Sequence, residues 1–77
     1  MNRKYIIDAI TTILEDIFKF KMSLPFSEEF DAFFEADQFE EFRCLVAQEF
    51  ELADDTLIDS CSTFRELVAL IEDEVFP

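Results

Sequence analysis

The chain has 77 residues, eleven of them Phe, with 51% hydrophobic content and a formal net charge of −13. One domain with a single thin core is expected, because a chain this short buries only about 60% of the surface it exposes when unfolded. That hydrophobic content excludes a disordered acidic tail. The sequence has no Gly and two Pro, at positions 25 and 77, which argues against hairpins and for an all-α fold.

The charge is uneven. Residues 1–22 set Arg3, Lys4, Lys19 and Lys21 against Asp8, Glu15 and Asp16, while beyond them only Arg43 and Arg65 oppose the remaining acids. Nucleic acid and anionic membranes are poor partners for such a chain, since the Lys/Arg surface that neutralises phosphate is missing. A basic protein partner is expected, because a field of this sign steers positive surfaces into contact. The same charge also keeps a Phe-rich chain soluble.

The first helix is predicted over about residues 2–19. Ile6, Ile10, Ile13, Leu14 and Ile17 form its apolar stripe, with Ile7 and Phe18 widening it. Lys19 and Lys21 fall where cations complement the helix dipole. Asp8, Glu15 and Asp16 interrupt the apolar run, so neither a signal peptide nor a membrane span is expected. Pro25 disfavours a helical Leu24 and makes residues 23–26 an irregular connection. Ser27 is a candidate cap for a small helix between Ser27 and Phe34. Phe26, Phe30, Phe33 and Phe34 are too many large apolar groups for a free loop, so this connection is expected to cross the core.

The central helix is predicted from Ala36 to about Glu51. Phe39, Phe42, Leu45, Val46 and Phe50 recur at intervals of three and four. Asp37 is read as its cap and Glu40 as the reciprocal partner of a capping box. Asp54 or Asp55 is expected to cap a very short helix carrying Leu57 and Ile58. Thr63 and Glu66 form a second capping box, and Phe64, Leu67, Val68, Ile71 and Val75 give the last helix its stripe. Glu72, Asp73 and Glu74 oppose that helix's dipole and predict fraying.

Neither a catalytic nor a metal site is expected. Acid–base chemistry needs one carboxylate raised in pKa and another kept ionised, and no cleft is indicated for the acidic clusters. EF-hand calcium loops need a glycine at the turn. Cys44 and Cys61 have no Cys or His at metal-ligand spacing, so two reduced, inert thiols in the cytoplasm are expected, with Cys44 buried or half-buried. Acylation of Cys44 is disfavoured by the neighbouring Glu40, Glu41 and Glu49, which oppose a thiolate. The Phe cluster from Phe26 to Phe42 is read as core packing in preference to a ligand cavity.

The layout is three longer helices, one short helix and a long first connection. With the local sequence from about Phe33 to Ile71, it resembles the acyl carrier proteins. Ala36-Asp37-Gln38-Phe39 is similar to that family's Ala-Asp-Ser-Leu motif. Glu49-Phe50-Glu51-Leu52 is similar to its acidic-Phe segment, and Ser62-Thr63-Phe64 to its Thr-Thr-Val. The resemblance implies a small four-helix bundle whose acidic second helix docks on Arg and Lys of partner enzymes, here through Asp37, Gln38, Glu40 and Glu41. It also implies a departure. The motif serine carries the 4′-phosphopantetheine arm, and Gln38 stands in its place; an amide cannot form that phosphodiester. The expectation is therefore a non-enzymatic, carrier-like module without an arm or cofactor, serving acyl, polyketide or lipid metabolism. The alternative is an acidic inhibitor or immunity protein that covers the basic cleft of a nuclease or toxin.

Overall fold

The computed structural model describes residues 2–75, the side chains of Asn2 and Asp55 excepted. The chain is all-α. Its elements are α1 (Asn2–Phe18), α2 (Phe30–Phe33), α3 (Ala36–Phe50), a 3₁₀ segment (Asp55–Ser60) and α4 (Phe64–Val75). Among the described residues no helix is long and apolar enough to cross a membrane.

Helix ends follow from local chemistry, and in three places that chemistry differs from the sequence expectation. The N-cap of α3 is Glu35, one residue before the helix and two before Asp37. Gln38 sits at the third helical position, and its side-chain Oε1 accepts the Glu35 N–H at 2.9 Å. The box therefore closes on Gln38 and not Glu40, because the reciprocal side chain must stand three residues after the cap. At α2 the cap is Glu29 and not Ser27, with no side-chain cap bond. The segment after Ala53 is a 3₁₀ helix. Asp54 caps it by accepting the Thr56 N–H at 2.9 Å, while the Asp55 side chain lies outside the described residues. At α4 the expected box is present: the Glu66 N–H donates to Thr63 Oγ1 at 3.3 Å, and the Thr63 N–H to Glu66 Oε1 at 3.2 Å.

With no glycine to terminate them, α1 and α3 stop at ordinary residues in the left-handed region. Lys19 has φ 65° and Glu51 φ 54°. The Lys19 N–H donates to the Glu15 carbonyl at 2.8 Å, the single bond of an αL cap. At α3 the Leu52 N–H reaches the Ala47 carbonyl at 2.9 Å and the Glu51 N–H the Gln48 carbonyl at 3.4 Å, the paired bonds of a Schellman motif.

Helix α1 packs against both α3 and α4 and runs antiparallel to each. At one end Tyr5 meets Phe50 of α3, ring centroids 6.0 Å apart, and Arg3 meets Glu72 of α4. At the other, Phe18 stacks on Phe34 at 5.8 Å and lies edge-on to Phe33 at 5.3 Å. The first connection is stitched to the segment before α4. The Phe30 N–H donates to the Ser62 carbonyl at 2.8 Å, and the Arg65 N–H, a donor left over at the start of α4, finds the Phe26 carbonyl at 3.2 Å.

The connection does cross the core. Phe30, Phe34, Phe42 and Phe64 interlock, with centroids 4.8 Å apart for Phe30–Phe64 and 4.9 Å for Phe34–Phe42. They join Ile6, Ile10, Leu14, Val46, Ile58, Leu67, Val68 and Ile71 in one buried cluster. No polar or charged side chain is buried among the described residues. A radius of gyration of 11.3 Å matches the roughly 11.5 Å of a compact chain of this length, so every element shares this core.

Candidate functional site

The first turns of α3 hold the residues singled out from sequence, and the fold divides them. Phe39, Phe42, Val46 and Phe50 face the core or its edge, which turns Asp37, Glu40 and Glu41 outward. All three are exposed, and with Cys44 they bound a shallow depression of about 400 Å³. Gln38 is not with them: it is half-buried, its amide folded back onto Glu35. A residue at this position is thus a structural part of the cap. Asp37 supports the same turn, its Oδ1 accepting the Gln38 N–H at 3.0 Å.

Cys44 corrects an expectation. It is exposed, at the C-terminal edge of the acidic face, and not buried. The signal was available, because Cys44 follows Asp37 by seven residues and Glu40 by four, placing it on their side of a 3.6-residue helix. Cys61 is half-buried, and burial pushes its thiol up from the usual value.

Among the described residues the acidic face has no internal counter-ion. The three ion pairs among the described residues are Arg3–Glu72 at 2.6 Å, Lys4–Asp8 at 2.9 Å and Arg43–Asp59 at 2.8 Å. None involves Asp37, Glu40 or Glu41. Arg43, one position from the face, is turned the other way, its guanidinium 5.4 Å from the Phe39 ring centroid and bonded to Asp59.

One exposed aromatic side chain was missed by sequence reasoning. Phe20 is 59% exposed, whereas every other Phe among the described residues is buried or half-buried. It projects between Lys19 and Lys21, and its contact with Phe18 at 6.3 Å places it at the end of the molecule where α3 begins. The signal was weak, because Phe20 continues the apolar run of α1 and only the left-handed turn at Lys19 throws it outward.

A second concavity, of about 210 Å³, lies between the first connection and the 3₁₀ segment. Phe30, Phe39, Asp59 and Cys61 line it with Glu29, Asp31 and Ser62. It is smaller than the roughly 300–1,000 Å³ of small-molecule pockets. No three metal-capable side chains converge among the described residues.

No family model, curated protein or solved structure matches this chain.

Proposed function

We propose that this chain is a non-enzymatic cytoplasmic interaction module built on the acyl-carrier-like four-helix plan and lacking the phosphopantetheine arm. It docks on a basic surface of a partner enzyme, of acyl, polyketide or lipid metabolism, through Asp37, Glu40 and Glu41 of α3. Gln38 shapes the start of that helix and carries no group. Nucleic acid and membranes are not its partners.

The observation that carries this reading is the uncompensated acidic face. The three ion pairs lie elsewhere, so Asp37, Glu40 and Glu41 present their charge outward. Such a face gives a partner's Arg and Lys charge-assisted bonds and gives the encounter a direction. A protein module fits better than a small-molecule binder, because the depression is shallow and the core is filled by aromatic rings.

The test is affinity capture at low salt, where screening is weakest, with mass spectrometry of the captured proteins and of the bait. An unmodified bait that brings down an enzyme of acyl chemistry supports the reading. A phosphopantetheine-sized mass increase overturns the role given to Gln38, and capture of a basic nuclease or toxin makes inhibition the function. Glu40→Lys with Glu41→Lys should abolish capture while changing stability by less than about 0.5 kcal/mol per site.

A further inference from the structure

The seam between α1 and α3 is open to solvent on one side. Two shallow depressions meet in it at Thr12 and Ile13. One, of about 320 Å³, is lined by Tyr5, Asp8, Ala9, Thr12, Ile13 and Glu49. The next, of about 350 Å³, is lined by Thr12, Ile13, Glu15, Asp16 and Leu45. Together they make a trough running from Tyr5 to Asp16 along α1, a length of about 16 Å or three helical turns.

Its chemistry is sorted. Ala9, Ile13 and Leu45 form an apolar floor, and every charged residue on its walls is acidic: Asp8, Glu15, Asp16 and Glu49. Lys4 pairs with Asp8 at 2.9 Å from outside the lining, and among the described residues no ion pair involves Asp16. The occupant must therefore carry an apolar strip flanked by positive charge. It must also satisfy its own backbone, because two helices offer no sheet edge to an extended strand. A helix meets both conditions, and three turns suffice to place residues i, i+3, i+4 and i+7 on the floor.

We infer that the α1/α3 trough is a docking groove for a cationic amphipathic helix of a partner protein. The helix lies along α1, with its apolar side chains on Ile13 and Leu45 and its Lys and Arg on Asp8, Asp16 and Glu49. This goes beyond the proposed function, since Asp37, Glu40 and Glu41 do not line the trough.

The test titrates the isotope-labelled protein with a Leu/Lys amphipathic helical peptide of about 14 residues, four turns, and with its Leu/Glu counterpart. Amide shifts centred on Ala9, Thr12, Ile13 and Leu45 are expected with the first and not the second, with contacts from peptide Leu methyls to Ile13 and Leu45. Two variants raise the net charge equally at different places. Thr12→Arg puts a cation in the trough and should weaken binding about tenfold, whereas Glu28→Gln, at an exposed position that lines neither the trough nor the α3 face, should leave it within about twofold. Thermal unfolding confirms that both fold, and Asp16→Asn offers a second probe of the trough. Shifts centred on Asp37–Cys44, shifts spread over all acidic surfaces, or equal losses in both variants overturn the inference. Trough contacts that arise without peptide as protein concentration rises overturn it too, by making a second copy the occupant. Loss of enzyme capture in the Glu40/Glu41 double variant bears only on the outer face of α3, so the two readings fail separately.

Discussion

The Arg3 guanidinium donates to the Glu72 carboxylate at 2.6 Å, across a sequence separation of 69 residues. Each charge has the wrong sign for its own helix: Arg3 lies in the first turn of α1 and Glu72 in the last turn of α4. Because the two helices are antiparallel, each misplaced charge offsets the other. The side chains are 50% and 31% exposed, so the pair is worth at most about 1 kcal/mol. A double-mutant cycle with Arg3→Ala and Glu72→Ala, read by urea unfolding, should give a coupling of about 0.5 kcal/mol at low salt. That coupling should largely vanish at about 1 M salt, where the Debye length falls to about 3 Å. Coupling that survives high salt would mean that the contact is mainly packing.

Phe64 is the residue on which the aromatic core turns. It is fully buried at the start of α4 and touches Phe30, Phe33, Phe34 and Phe42 at centroid distances of 4.8, 5.3, 5.8 and 5.7 Å. Phe64→Ala should cost about 3–5 kcal/mol, a large part of the roughly 5 kcal/mol available at the low end for natural domains. Helix signal and unfolding cooperativity should fall together. Phe64→Leu, which keeps most of the volume, should cost less than half as much and retain a cooperative transition. Equal losses for the two would show that the aromatic contacts, and not the volume, hold this layer.

Much of this fold was legible because apolar spacing decides which face is buried. The stripes of α1, α3 and α4 named Ile6, Ile10, Phe42, Val46, Phe64 and Ile71, all fully buried. The caps were less legible. Asp37 is the residue type that caps best, yet Glu35 takes the position, because Phe34 and Phe39 both reach the core and fix where the helix must start. The 3₁₀ character of residues 55–60 was hidden for a similar reason, since burying Ile58 decides the local winding. On α3 the period put Asp37, Glu40 and Glu41 off the apolar stripe, and all three are exposed. Gln38 joined them only through the family resemblance, and its side chain accepts a backbone N–H, a choice to which spacing is blind. Phe20 was missed because a left-handed Lys19 has no signature in a chain without glycine.

The two left-handed residues are places where the chain gives up stability. A non-glycine residue there costs about 1–2 kcal/mol. Glu51 also sets a negative charge at the C-terminal end of α3, against the dipole. Glu51→Gly should raise stability by about 1 kcal/mol, and Lys19→Gly should act similarly at the end of α1. Glu51→Gln separates the causes, since it removes the charge and keeps the side chain. Urea midpoints should rise in the order wild type, Gln, Gly. A glycine variant less stable than the glutamine variant would mean that contacts of the Glu51 side chain outweigh its backbone strain.

Tyr5 offers an optical test of the α1/α3 seam, because it is the only tyrosine and the chain has no tryptophan. Its phenol O–H donates to Glu49 Oε2 at 2.9 Å. That hydrogen bond, then the negative charge of Glu49, then slight burial, hold the phenol above its ordinary value of 10.0. A pKa raised in the folded state contributes stability that is fully present below the unfolded value of about 10 and is lost as pH rises through the folded value. Phenolate absorbance should therefore develop at a higher pH in the native protein than in urea. Glu49→Gln should bring the native midpoint down toward that of the unfolded chain, because an amide oxygen accepts the hydrogen bond without the charge. Tyr5→Phe should remove this contribution to the alkaline loss of stability. A native midpoint at or below the unfolded one would mean that the Tyr5–Glu49 contact does not persist in solution, and with it would go one wall of the α1/α3 trough.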